Sequence, residues 1–134
     1  MEVEDLLIET LATFGYPVRL QGSLLENEPY PSDFFTFWND SSNSQAFYDN
    51  NENAIIYEYS VNFYSVDSAK VYSVLREAKS KLKQVGFIVG GDGHSVASDE
   101  TSHDGRGIDI TYMKYPQSTQ NERIDFYGWN NNLV

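Results

Sequence analysis

Ala54-Ile55-Ile56-Tyr57-Glu58-Tyr59-Ser60-Val61-Asn62-Phe63-Tyr64-Ser65 alternates with period two almost throughout. Ile55, Tyr57, Tyr59, Val61 and Phe63 point one way, while Ile56, Glu58, Ser60, Asn62 and Tyr64 point the other. Side chains of an extended chain alternate between faces, so this stretch is a strand with one dry face and one mostly polar face. It closes an aromatic window. Eleven of the twenty aromatic residues lie between Tyr30 and Tyr64: those two with Phe34, Phe35, Phe37, Trp38, Phe47, Tyr48, Tyr57, Tyr59 and Phe63. Aromatic and β-branched residues suit a pleated, half-buried surface.

Upstream, Phe34 to Asn39 predicts a second strand, with Phe35 and Phe37 on one face and Phe34, Thr36 and Trp38 on the other. Both faces are apolar, whereas an antiparallel sheet commonly keeps one face wet. Cover on the second side must come from a helix or a neighbouring subunit. Asp40 to Asn53, rich in Asn, Ser and Asp, reads as polar punctuation. Further back, Val3, Leu6, Leu7, Leu11 and Phe14 have amphipathic helical spacing, and Gly15 and Pro17 stop that helix. A short strand at Pro17–Gln21 and a loop from Gly22 to Asp33 complete the first part.

Downstream, Ser65 or Asp67 can cap a helix from Ser68 to Val85 whose apolar line is Val71, Val74, Leu75, Ala78, Leu82 and Val85. Lys79, Lys81 and Lys83 complement its C-terminal dipole, and Gly86 closes it. Phe87–Val89 predicts a strand, Ser95–Ser98 a weak pairing, and Gly107–Tyr115 a last strand ended by Pro116. No doubly wound alternation of strand and helix is present. The order predicts an α+β fold: a mostly antiparallel twisted sheet of four to five strands with two helices packed on one face. Residues 1–116 form the expected single domain, and 117–134 a polar tail that carries Ile124, Phe126, Tyr127 and Trp129.

The chain has 134 residues, one domain's worth, and can bury a core without a metal or disulfide staple. Zero cysteines remove disulfide frameworks and thiolate metal sites. The acidic start is unlike a secretory signal, and no apolar run approaches ~18 residues. The expected product is soluble, made in the cytoplasm, and does not engage a membrane. Nine basic against twenty acidic residues give a net charge of −11, which disfavours phosphate-backbone binding. That acidity fits plain solubility. The alternative is a surface that DNA passes without sticking.

Chemistry is harder to find. His94 and His103 share one loop with Asp92, Asp99, Glu100 and Asp104, but the spacing matches no calcium loop and offers no helical histidine pair. A solvated hairpin explains it better. Gly90, Gly91 and Gly93 follow a strand, yet no helix opens after them to cradle phosphate. No nucleophile–base pair or selected carboxylate pair emerges, so neither an enzyme nor a cofactor is expected. Base stacking would need a basic groove, and residues 34–64 hold no lysine or arginine.

The runs Tyr30-Pro-Ser-Asp-Phe-Phe-Thr-Phe-Trp-Asn39, Phe47-Tyr-Asp-Asn50, Val61-Asn-Phe-Tyr-Ser65, Gly86-Phe-Ile-Val89, Val96-Ala-Ser-Asp-Glu100 and His103-Asp-Gly-Arg106 together resemble a family of small structural proteins of long-tailed bacteriophages and prophages. They are encoded among head–tail joining and tail genes. The similarity spans about residues 15–115. Size, acidity and element order are similar to tail-terminator, or tail-completion, proteins. The resemblance implies a subunit that forms a hexameric ring on the tail-tube end, a free subunit being allowed to stay monomeric. Such a ring halts tube polymerisation and docks to the head connector or stopper protein, with DNA passing through unbound. It also implies a place in the virion tail or neck, after synthesis in the host cytoplasm, and carries over no catalytic residue.

A ring closed by one repeated contact needs two different adhesive surfaces per subunit. The expected interface residues are Phe34, Trp38 and Tyr64 from the second sheet face. The Gly90–Gly105 loop adds Asp92, His94, Asp99, Glu100, His103 and Asp104, and the tail adds Phe126 and Trp129. That loop, or alternatively Leu24–Asp33, is expected to line the bore or meet the next ring. Rival expectations are a tail-tube or other adaptor subunit, an acidic decoy that binds a basic host protein, and a small metal-dependent enzyme using the His94–Asp104 loop.

Overall fold

Alternation on the strongest strand decides which side of the sheet is dry, and the helices follow it. The structure, a computed structural model, describes residues 2–21, 29–47 and 53–115, with backbone alone over 41–47 and 53–54. The elements are α1 (Val3–Ala12), β1 (Val18–Leu20), β2 (Asp33–Phe47), β3 (Asn53–Ser65), α2 (Ser68–Gln84), β4 (Ile88–Val89), β5 (His94–Val96) and β6 (Asp104–Lys114). One sheet runs β1-β2-β3-β6-β4, with β5 also on β6. The β1–β2 pair is parallel and the other pairs are antiparallel. The fold is α+β, with six strands among the described residues because two very short ones pair along β6.

Phe35, Phe37, Tyr59, Val61, Phe63, Ile108 and Ile110 share the dry face, where Val3, Leu7 and Leu11 of α1 and Val74, Leu75, Ala78 and Leu82 of α2 cover them. Rings dominate the centre: Phe35 lies 4.7 Å from Phe63, and Phe14 and Tyr16 each lie 5.5 Å from one of that pair. Burial first, then the Glu4 carboxylate, push the Tyr59 hydroxyl up to about 12. The antiparallel pairings of β6 with both β3 and β4 make those two strands parallel. The chain must therefore cross over between them, and α2 is that crossover.

Asp67 caps α2 by accepting from the Ala69 N–H at 3.1 Å, and Ser65 Oγ accepts from the Asp67 N–H at 3.0 Å. Gly86, at φ 108°, turns the chain so that the Phe87 N–H reaches the Leu82 carbonyl at 3.0 Å. β2 departs from expectation. Instead of ending at Asn39 it runs to Phe47, pairing Ser44–Phe47 with Ile56–Asn53 across register shifts between Asn39 and Ser44. Ser, Asn and Gln are weak strand formers, but β3 offers a backbone ladder whatever the side chains are. The shifts absorb the misfit as bulges.

Asp33 ties the start of β2 to this cap. Its carboxylate accepts from Ser65 Oγ and, at 3.1 Å, from Lys70 Nζ. Burial alone would raise the Asp33 carboxyl, but those hydrogen bonds and the ammonium charge outweigh it and hold the group below its ordinary value of 3.8. The folded state thus releases this proton more readily than the unfolded chain. Its stabilisation is complete above the unfolded value and lost as pH falls through the lower folded one. Urea midpoints of wild type should drop between pH 5 and pH 2.5, and Asp33→Asn should shrink that drop while lowering the midpoint at pH 7.

Candidate assembly surface

The face opposite the helices carries Phe34, Thr36 and Trp38 of β2, Glu58, Ser60, Asn62 and Tyr64 of β3, and Gly105, Gly107, Asp109 and Thr111 of β6. It divides into a covered end and an open middle. At the covered end Phe34 stacks on Tyr64, centroids 5.1 Å apart and planes 22° apart. Tyr30 and His103 meet Phe34 edge-on at 5.7 and 5.9 Å. Gly105 lies beneath Tyr64, and a Cβ there would come within 2.6 Å of the ring.

The segment from Ala97 to His103 is fastened over this end as a strap. A carbonyl only accepts, so His103 Nε2 donates to that of Pro31 at 2.8 Å, and in the neutral ring Nδ1 then accepts from Ser102 Oγ at 2.9 Å. The Tyr30 hydroxyl donates to Asp99 at 3.2 Å. Burial first, then that carboxylate, raise the Tyr30 phenol above its ordinary value. The His103 ring is packed edge-on against Phe34 and Tyr30. Removing the clamp with His103→Ala should cost about 1–3 kcal/mol, the range for orphaning a buried polar partner. Amide exchange should accelerate over 97–104 and not in α2.

This corrects three expected interface residues. Phe34 and Tyr64 are 2% and 7% exposed, covered by their own chain rather than by a neighbour. His103 is buried with them. The loop acids are exposed but largely engaged. Asp92 pairs with Lys79 at 3.0 Å, which holds its carboxyl below the usual range, Asp99 bonds Tyr30, and Asp104 accepts from Ser68. Glu100 and His94 lie at the surface. Among the described residues no three His, Asp or Glu side chains are grouped to hold a metal. A cleft of about 420 Å³ lies beside the strap between Ser68, Tyr72, Ser98, His103, Asp104 and Arg106. Phe126, Trp129 and the rest of 117–134 lie outside the described residues, as does the first half of the Leu24–Asp33 loop, 24–28.

The open middle is where the sequence expectation of an uncovered aromatic finds its place. Trp38 is 51% exposed. Around it stand the exposed carboxylates of Asp40, Glu58 and Asp109. Ser60 Oγ sits 2.7 Å from Asp40 and 3.1 Å from Asp109, and its one proton serves one of them at a time. Alternation already put Glu58 and Ser60 on the polar face, and Asp109 opposite Ile108 and Ile110. Asp40 was hidden because the bulged continuation of β2 was not foreseen. Beyond the bond from Gln21 N–H to the Phe37 carbonyl, the outer edge of β2 has no described neighbour. Comparison with protein-family models and with curated protein sequences returns no match.

Proposed function

We propose that the protein is a virion structural component of the head–tail junction of a long-tailed phage. It acts there as a tail-terminator subunit, joining copies of itself into a ring on the tube end. One observation carries this: the sheet face around Trp38 is left uncovered by a fold that covers its other face with two helices and one end with a strap. A half-exposed tryptophan sharing its sheet face with Glu58 and Asp109 offers an aromatic anchor beside acidic groups, and tryptophan is over-represented at contact centres. The resemblance of residues 15–115 to phage head–tail proteins supports the same role. A net charge of −11 suits a ring through which DNA passes without adhering.

Polymerising tail-tube protein in the presence of the purified chain tests this. Wild type is expected to stop growth and give short, capped tubes that bind connector. Trp38→Ala should leave unfolding stability within about 0.5 kcal/mol, as for ordinary surface substitutions, yet lose capping. Tubes that lengthen equally with and without the chain would reject the role. Long tubes built from the chain itself would make it a tube subunit instead.

A further inference from the structure

Five of the nine basic residues lie on α2: Lys70, Arg76, Lys79, Lys81 and Lys83. Tyr72, Arg76, Lys79 and Lys83 recur at i, i+4, i+7 and i+11, which places them in one stripe along the helix. Tyr72 is 52% exposed, and Arg76 and Lys83 are exposed too. The Arg106 guanidinium lies over the Tyr72 ring at 4.8 Å, adding a further cation beside the stripe. A groove of about 250 Å³ along it is lined in part by the apolar Leu75 and Ile108. In a chain of net charge −11, a cationic stripe with an exposed aromatic at one end and Arg106 beside it has the character of a contact for an acidic partner.

The same molecule carries that partner's chemistry on its other side. Trp38 with Asp40, Glu58 and Asp109 belongs to the sheet face that α2 does not touch. We propose that the Tyr72–Arg76–Lys83 stripe of one copy seats on the Trp38 face of the next, resting on the self-assembly role above. The two surfaces are opposite in charge, each centred on a half-exposed ring, and lie on opposite layers of the fold. Every added copy therefore leaves one of each free, which is the requirement for a ring or stack of identical subunits. Cations brought onto Trp38 also gain from its ring face. Nucleic acid fits the stripe less well, because Lys79 is already paired with Asp92 and the surrounding field is acidic.

Sedimentation of the full chain across concentration, at low and moderate salt, tests the contact. Wild type should self-associate and weaken as salt rises. Arg76→Glu with Lys83→Glu should weaken association at least about tenfold, as should Asp40→Lys with Glu58→Lys. Both double variants should keep the wild-type unfolding midpoint, since all four positions are exposed. Mixing the two should restore association, because the reversed helix of one meets the reversed sheet of the other. A wild-type chain that stays monomeric, variants that associate undiminished, or a mixture no tighter than its components would each overturn the contact. Tube capping by wild type, read separately, shows whether the assembly role survives that failure.

Discussion

Phe63→Ala is expected to lower the unfolding free energy by about 3–5 kcal/mol, the range for truncating a fully buried aromatic. Phe63 is completely buried, faces Phe35 across the β2–β3 ladder and also touches Tyr16. Phe35 is held on β2 and Tyr16 in the α1–β1 connection, and both are themselves packed, so they cannot collapse into the space left behind. A domain of this size has only about 5–15 kcal/mol in hand. The melting temperature should fall by roughly 10–20 °C. Phe63→Leu keeps most of the volume and should cost no more than about 1.5 kcal/mol. Urea denaturation of the three chains checks both numbers. A loss below about 1 kcal/mol for alanine would mean that the helices do not close over this face.

Gly105→Ala should cost about 2–4 kcal/mol although it adds a single carbon. That carbon would come within 2.6 Å of the Tyr64 ring and 2.8 Å of Val96. Neither can step aside cheaply, since Tyr64 is stacked on Phe34 and Val96 sits on β5. Overpacking accounts for about 1–3 kcal/mol of the loss, and disturbance of the ring pair for about 0.5–1.5 more. Gly107→Ala is the control. The Asn62 amide that its carbon would meet is the end of a flexible side chain, so a milder loss is expected. Equal stability of Gly105→Ala and wild type, by urea denaturation, would mean the strap does not hold Tyr64 down. Phe34 and Tyr64 would then be available to a neighbour after all.

The sequence announced the sheet clearly where hydrophobicity and local preference agreed. Tyr57, Tyr59, Val61 and Phe63 fixed the dry face of β3, and Ile108 and Ile110 fixed that of β6. The spacing of Val71, Val74, Leu75, Ala78 and Leu82 marked the buried side of α2. What stayed illegible were features made by partners distant in the chain. Ser44 to Phe47 became strand because β3 lay alongside, and of the four only Phe47 favours it by its own preference. His103 looked like a candidate loop ligand, but its ring is held by Pro31, 72 residues away. No spacing rule reaches that far.

Alternation by itself showed that β2 has two apolar faces, and it raised the question of what covers the second. The sequence also determined the α+β class, the two helices and the excess of acid. Only the tertiary structure divided that second face, burying Phe34 and Tyr64 under the chain's own strap and leaving Trp38 in the open among carboxylates. The physical reason is that alternation tells which way a side chain points, a property of the local backbone. Whether something lies on top of it depends on where a distant loop returns, and that is set by the packing of the whole domain.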